Sequence, residues 1–214
     1  MSRAGTNVPP QTLLTGGVHD SCMYIRDAKN REEVWLLDRL DEFGFEDPAF
    51  RSRDYVLAID EETGEKTGFG RLRVHSMSEG PDACELTCIG VLPDHRDQGV
   101  GAHVLERLVE KARDQGIETV YSFTDQVDYC RQFGFDLTPA GELPSKLKNR
   151  FERVKEQEPE AEAVSVGVSE FEMPPRLRRR FHDDVEPDED TSETPEDFGI
   201  DPETATYKYD TGGG

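Results

Sequence analysis

The sequence contains no apolar run that approaches the roughly 20 residues needed to cross a bilayer, and hydrophobic residues make up only 34% of its 214 positions. Basic residues are also few: 25 lysines and arginines stand against 46 aspartates and glutamates, giving a net charge of −21. A chain this acidic repels nucleic-acid phosphates and anionic membrane surfaces, so neither is an expected partner. We interpret the charge as a surface adapted to high salt, as in halophilic proteins. An acidic surface for a specific basic partner is the alternative.

Cysteine is scarce, and the four cysteines lack the close pairing of a metal knuckle: Cys22, Cys84, Cys88 and Cys130. Cys84 and Cys88 have no second ligand pair, so no metal site is predicted. They are typical of small buried hydrophobes in a reducing compartment. Residues 1–20 contain no basic stretch followed by an apolar core, so we expect no secretory signal and a cytoplasmic protein.

Composition divides the chain into four parts. Residues 1–20 have loop composition and are predicted to be a flexible lead-in. Residues 21–173 carry regular hydrophobic patterns and form the predicted domain. Residues 174–182 are basic; pairing with nearby acidic residues or binding of a partner would explain them. Residues 183–214 are acidic and have too few large aliphatics to offset the entropy of ordering, so disorder is predicted.

Hydrophobic periodicity predicts alternating strands and helices within the domain. The predicted strands are Met23–Arg26, Tyr55–Ile59, Thr67–Ser76, Ala83–Val91, Thr119–Phe123 and Ala163–Phe171. The predicted helices are one ending at Gly44, one from the glycine-rich loop to Gln115, and the segments Asp125–Phe133 and Pro144–Glu156. In the first helix, Val34, Leu37 and Leu40, with Trp35, form the predicted apolar stripe.

A glycine-rich loop, His95–Ala102, joins the strand ending at Val91 to the long helix. Its alternate glycines, Gly99 and Gly101, allow backbone amides to turn toward one point. The helix N-terminus adds partial positive charge there, so the loop can form a main-chain cradle for a diphosphate. It lacks the third glycine of a dinucleotide fingerprint and the Gly-Lys-Ser/Thr of a P-loop. A plain strand-to-helix turn is the structural alternative.

The wider context carries a resemblance. The run from Glu85 to Gly101, with the pattern V-x-P-x-x-R-x-x-G-x-G, resembles the strand 4 and helix 3 signature of the GNAT acetyltransferase superfamily. Arg131-Gln132-Phe133-Gly134-Phe135 is similar to a second hallmark of that family. The resemblance implies an α+β fold with a mixed, mostly antiparallel central sheet and helices on both faces. It also implies an acetyl-CoA-dependent N-acetyltransferase. Homodimers are common for this fold, and no residue decides whether this chain forms one.

The resemblance also implies a binding mode for acetyl-CoA. Amides from Gln98 to Ala102 would bind the pyrophosphate, with Arg96 at the family's Arg/Gln position. The strand around Ile89 would pair with the pantetheine arm in a gap where strands four and five diverge, and an amide near Ile89 would polarise the thioester carbonyl. The predicted cofactor-binding residues are Ile89, Gly90, Val91, Arg96, Asp97, Gln98, Gly99, Val100, Gly101 and Ala102.

The reaction requires a neutral amine, because an ammonium has no free lone pair, and a nearby carboxylate can serve as base. Glu85 is the predicted base; His75 and His95 are alternatives, and a solvated strand-edge carboxylate is the structural interpretation of Glu85. Many family members have a tyrosine four residues before the Gly-Phe hallmark that protonates the leaving thiolate. Cys130 occupies that position here and Tyr129 precedes it. Either is a candidate acid, and helix packing alone would also explain Cys130.

A narrower resemblance concerns the acceptor amine. The segments Glu85–Cys88 and Phe123–Gln126, and Leu143-Pro144 before a basic helix, are similar to the acetyltransferase part of bacterial N-acetylglutamate synthases. An amino-acid acceptor would need cations for its carboxylate, for which Arg71 and Arg73 are candidates, with Thr124 nearby. We therefore expect an amino acid or similar small amine rather than a protein amine. A non-catalytic acyl-CoA sensor is a third interpretation.

Overall fold

The computed structural model describes residues 23–77 and 80–178. Their strands form a seven-stranded sheet in the order β1-β2-β3-β4-β5-β7-β6. The strands are β1 Met23–Asp27, β2 Tyr55–Asp60, β3 Lys66–His75, β4 Ala83–Val91, β5 Thr119–Thr124, β6 Asp136–Leu137 and β7 Glu162–Gly167. All neighbouring strands are antiparallel except β4 and β5, which are parallel. The predicted mixed, mostly antiparallel sheet is confirmed.

Helices cover both faces of the sheet, as predicted. They are α1 Glu33–Phe43, α2 Val100–Asp114, α3 Val127–Arg131, α4 Ser145–Gln157 and the single turn α5 Pro175–Arg178. On one face, α2 and α3 pack on the largest hydrophobic cluster, which includes Leu72, Leu86 and Leu108. On the other face, α1 and α4 cover separate clusters built around Phe69 and Leu147.

The predicted apolar stripe of α1 is confirmed at Leu40 and Trp35 and wrong at Val34 and Leu37. Val34 is 71% exposed and Leu37 is 44% exposed, whereas Leu36 and Leu40 are buried. The helix packs Leu36 and Leu40 against the sheet. This rotation about the helix axis also brings aromatic side chains of α1 into contact with the sheet. Trp35 and Phe43 each contact the ring of Phe69 edge-on, at centroid distances of 6.0 and 5.3 Å. The predicted stripe included Trp35 but not Leu36 or Phe43, because the sequence period alone does not show where the Phe69 ring lies.

Other predicted boundaries shift at the C-terminal side of the domain. The last predicted strand ends at Gly167 rather than Phe171, and the two-residue strand β6 was not predicted. The predicted lead-in, residues 1–20, and acidic tail, residues 183–214, lie outside the described residues. The basic segment, residues 174–182, is described only as far as Arg178.

The described ranges contain neither a membrane-crossing helix nor a group of metal-binding side chains. No helix within them has both the length and the apolar character that crossing a bilayer requires. Nor do residues 23–77 and 80–178 contain three or more His, Cys, Asp or Glu side chains grouped to bind a metal ion.

Candidate active site

A cavity of about 880 Å³ opens where β4 and β5 separate. The two strands pair only at Cys84 with Val120 and at Glu85 with Tyr121. Ser122 Oγ still donates to the carbonyl oxygen of Leu86, at 3.0 Å. The cavity lining continues along both strands. It also includes the end of α1, the loop that precedes α2, and parts of α3, α4 and α5. The gap that the resemblance implied between strands four and five is thus present.

The wall along β4 is shaped by a bulge. The register between β3 and β4 shifts between Phe69 and Arg71, and on β4 the backbone of Cys88 takes a positive φ of 51°. A bulge of this kind turns the strand and re-aims the groups that follow it. Predicted cofactor residues Ile89, Gly90 and Val91 follow the bulge and line the cavity. At Gly90 a Cβ atom would lie 2.6 Å from the Phe69 ring, so only glycine fits this wall.

The glycine-rich loop forms the far end of the cavity. Gly99 precedes α2 with a φ of 90°, and the first turn of α2 has neither a side-chain cap nor an acidic residue. Helices are normally capped by a side-chain oxygen, so this N-terminus is left open to an anion. We call this end, residues 96–101, the cradle. Arg96, Asp97, Gly99, Val100 and Gly101 line it.

Two predicted cofactor-binding residues, Gln98 and Ala102, do not line the cavity, and the Ala102 amide predicted to bind the pyrophosphate donates to the carbonyl oxygen of Gly99 at 3.0 Å. The Gln98 side chain donates to the carbonyl oxygen of Asp94 at 3.0 Å, and Ala102 is fully buried. Arg96 Nε donates to the carbonyl oxygen of Val91 at 3.2 Å, which holds the guanidinium at the end of β4. His95, the alternative base, also lies at this end.

At the near end, Glu85 is held among basic side chains. Its carboxylate is 2.8 Å from His75 Nε2 and 3.3 Å from Arg150 Nε, and Glu85 is only 1% exposed. Arg73 lies directly opposite Glu85 on β3. Burial acts to raise the pKa of Glu85, but the hydrogen bond with His75 and the charges of Arg150 and Arg73 outweigh it, so the pKa lies below its usual value. The carboxylate is therefore ionised at neutral pH.

Arg71 lies outside the cavity, in a separate buried group of charged side chains. It is 2% exposed, forms an ion pair with Asp47, and donates to Asp54 Oδ2 at 2.8 Å and to the carbonyl oxygen of Ala49 at 2.7 Å. Tyr55 donates its phenol to Asp47 at 2.6 Å. Arg71 is not among the cavity-lining residues, so the structure does not bring it together with Glu85 and Thr124.

The two candidate acids lie on α3 and both line the cavity. Burial raises the pKa of Cys130 to about 11. Burial and the neighbouring Cys130 raise the pKa of Tyr129 to about 12, against the opposing charge of Arg176. Both groups are therefore protonated at neutral pH and can donate a proton. The Tyr129 hydroxyl lies beside the cradle, 3.6 Å from the position of a Cβ at Gly101.

Thr124 also lines the cavity, at the end of β5. Its hydroxyl accepts a hydrogen bond from the Gln126 amide at 3.0 Å, which shapes the turn into α3. Sequence reasoning did not single out Arg150, Arg176 or the loop Phe43–Glu46 as parts of the site, although all line the cavity. The spacing of Arg150, Val154 and Gln157 along one face of α4 is the signal that could have indicated the first of these.

A mixed sheet that opens between its two parallel strands beside an uncapped helix N-terminus is the fold of the acyl-CoA N-acyltransferases. The model of the acetyltransferase (GNAT) family matches residues 21–135, more than half of the chain. The chain belongs to this family.

Similar proteins include an amino-acid acetyltransferase of Pseudomonas fluorescens, 37% identical over 65 residues, which are 30% of this chain and 15% of the relative. A mycothiol acetyltransferase of Thermobifida fusca is 28% identical over 145 residues, 64% of this chain and 38% of the relative. The chain thus spans well under half the length of these curated relatives. N-acetylglutamate synthase from Neisseria gonorrhoeae, solved with coenzyme A and N-acetyl-glutamate, shares the fold, with a TM-score of 0.56, 19% identity, and coverage of 68% of this chain and 35% of that one.

Proposed function

We propose that this protein transfers the acetyl group of acetyl-CoA to the primary amine of a free amino acid or a similar small molecule. The observation that carries the proposal is the Glu85–Arg150 pair, which lies at the opposite end of the cavity from the cradle. Glu85 and Val91 are six residues apart on β4, a separation of about 20 Å along a strand. The cavity therefore has room for a long anionic donor at one end and a small acceptor at the other.

The cradle is suited to the donor. Glycines at Gly99 and Gly101 and the uncapped start of α2 present main-chain donors, and Arg96 adds a positive charge. Fixed N–H donors and a helix N-terminus bind a pyrophosphate well. The wall at Ile89–Val91 follows the bulge, and an amide there would stabilise negative charge on the thioester oxygen.

The near end is suited to an acceptor that carries both charges. In an α-amino acid the ammonium and carboxylate are neighbours, as are Glu85 and Arg150. Arg150 uses only Nε on Glu85, and its two terminal nitrogens have no partner among the described residues. These nitrogens can bind a carboxylate in the paired geometry that arginine favours. Arg73 does not line the cavity, but it is half-buried opposite Glu85 on β3 and adds positive charge beside that carboxylate.

Glu85 acts on the amine mainly as an ionised carboxylate. Attack of the neutral amine nitrogen on the thioester carbon forms the C–N bond and breaks the C–S bond. The nitrogen gains positive charge and releases one proton to solvent, the thiolate takes one from the acid on α3, and solvent returns a proton to that acid. A carboxylate with a lowered pKa is a weak proton acceptor but stabilises that positive charge. Tyr129 and Cys130 remain the candidate donors to the thiolate. The α-amine of an amino acid is more acidic than a lysine amine, so it needs less help to become neutral.

The pH profile follows from these pKa values. Glu85 is ionised above its lowered pKa, and Cys130 and Tyr129 stay protonated to about 11 and about 12. The acceptor's own amine therefore sets the profile. With amino-acid amides and peptide N-termini, whose amine pKa lies near 8, kcat/KM should rise about tenfold per pH unit and level off near pH 8, and with free amino acids, whose own carboxylate raises the amine pKa, it should level off at higher pH. Acceptors whose amine pKa is higher should level off correspondingly later. A plateau that stays at one pH for every acceptor would instead identify a base on the protein.

Substitution of Arg150 by Met tests the acceptor class. Loss of a charged hydrogen bond to the carboxylate should lower kcat/KM for free amino acids about 30- to 100-fold. The corresponding amino-acid amides and simple amines should lose much less, because they have no carboxylate to bind. The measurement is thiol release from acetyl-CoA across free amino acids, their amides, polyamines and peptide N-termini.

Arg153→Met is the matched control, since Arg153 is an exposed arginine on the same helix that does not line the cavity. It should retain wild-type rates. Equal losses for acids and amides in Arg150→Met would contradict the proposed carboxylate contact. A wild-type preference for peptide N-termini over free amino acids would contradict the proposed acceptor.

A further inference from the structure

The chain after β7 returns to the cavity as a fixed segment. We call residues 171–178 the C-terminal strap. The ring of Phe171 stacks on Phe133 at a centroid distance of 5.7 Å and an interplanar angle of 1°. The Glu172 amide donates to the carbonyl oxygen of Phe133 at 3.2 Å, and Met173 is buried in the main hydrophobic cluster. These contacts fix the start of the strap beside α3.

The end of the strap is fastened to α2. His103 Nε2 lies 3.2 Å from the carbonyl oxygen of Leu177. Arg178 forms an ion pair with Glu106 at 3.0 Å. His103 and Glu106 belong to the first half of α2, immediately after the cradle. The strap is therefore held against the same helix whose N-terminus forms the cradle.

This fastening places Arg176 at the cavity. Arg176 and Leu177 line the cavity together with the cradle and Tyr129. The Arg176 side chain donates to the side-chain oxygen of Gln132, a neutral group, and has no carboxylate partner among the described residues. Its charge reaches the Tyr129 phenol, whose hydroxyl lies beside Gly101. An arginine without a carboxylate partner in residues 23–77 and 80–178 thus stands next to an uncapped helix N-terminus.

We infer that Arg176 binds a phosphate group of the CoA donor. A chain with a net charge of −21 repels an anionic ligand at long range, so cations placed at the cradle matter for binding. Arginine forms short, directional hydrogen bonds with phosphate oxygens. Arg178 pairs with Glu106 and is not free for this role, which leaves Arg176 as the cation that the strap brings to the ligand. The inference rests on the proposal that acetyl-CoA is the donor, and it does not depend on the identity of the acceptor.

The test is the dissociation constant of CoA, measured by isothermal titration calorimetry without any amine. Arg176→Ala should weaken CoA binding about tenfold, the effect of one charged contact at an exposed site. Arg176→Lys should recover part of the loss, since it keeps the charge. Arg131→Ala is the control: Arg131 is an exposed arginine on α3, paired with Asp128, that does not line the cavity. It makes the same change in net charge and should leave the affinity unchanged.

Dephospho-CoA, which lacks the 3′-phosphate, identifies the phosphate involved. If Arg176→Ala weakens both ligands equally, the contact is to the pyrophosphate. If it weakens CoA alone, the contact is to the 3′-phosphate. Unchanged affinity of Arg176→Ala for both ligands, or an equal loss in Arg131→Ala, would overturn the inference. If the wild-type protein does not bind CoA, the proposal that acetyl-CoA is the donor is refuted instead.

Discussion

Glu85→Gln is expected to lower kcat/KM about 100-fold or more, in the range that loss of a positioned charged group at a reacting centre produces. Glu85 is 1% exposed and is the one carboxylate in the cluster formed with His75 and Arg150. The amide keeps the size of the side chain and removes the negative charge that stabilises the attacking amine. CoA affinity should be unchanged, because the cradle is about 20 Å away along β4.

Glu152→Gln provides the matched control, since Glu152 is exposed on α4 and does not line the cavity. Its steady-state parameters should equal those of the wild type. The expected loss for Glu85→Gln lies in kcat as well as in KM, because the charge acts on the developing ammonium. Full activity in Glu85→Gln would remove Glu85 from the mechanism. If Glu85→Gln weakens only the binding of CoA, acetyl-CoA does not bind in the proposed position.

Arg71→Met is expected to destabilise the fold by about 3–5 kcal/mol, the cost of leaving a buried charge without its partner. The side chain of Asp47 is only 2% exposed and pairs with Arg71. Its other contact, the phenol of Tyr55, is neutral and cannot replace the guanidinium. The sequence suggested that Arg71 binds the substrate carboxylate, whereas its surroundings favour a structural role.

Urea denaturation measures this effect, with Arg153→Met as an exposed arginine control that should shift the free energy of unfolding by less than about 0.5 kcal/mol. Adding Asp47→Asn to Arg71→Met should restore part of the stability, because the unpaired charge is then gone. A stable Arg71→Met with a raised KM for the acceptor would instead support the substrate-binding prediction.

The parts of the fold that follow from local patterns could be predicted. The bounds predicted for β4, Ala83–Val91, are those observed, because alternation and the flanking Pro81 and Pro93 limit the strand on both sides. The helix α2 has a strong apolar period and begins after a glycine, so its limits were also close. The rotation of α1 depends on contacts with Phe69, 26 residues after Phe43, and no local pattern carries that information.

The same distinction holds for the site. The cradle is a contiguous loop whose proposed role follows from glycine spacing and the helix start. The acceptor end is assembled from distant positions: Arg150 reaches Glu85 across 65 residues, and Asp47 reaches Arg71 across 24. Alternation on β3 placed Arg71, Arg73 and His75 on one face but could not show that an acidic segment after α1 occupies Arg71. Tertiary contacts therefore decide which arginine is free to bind a ligand.

In the proposed reaction, one cavity holds acetyl-CoA at the cradle and an amine at Glu85. The most direct test is the rate of thiol release from acetyl-CoA with and without free amino acids, with mass spectrometry of the product. Thiol release should depend on the amino acid, and the N-acetyl derivative of that amino acid should form in an amount equal to the thiol released. Tight CoA binding without amine-dependent release for any acceptor would contradict it, and would identify the domain as an acyl-CoA-binding module.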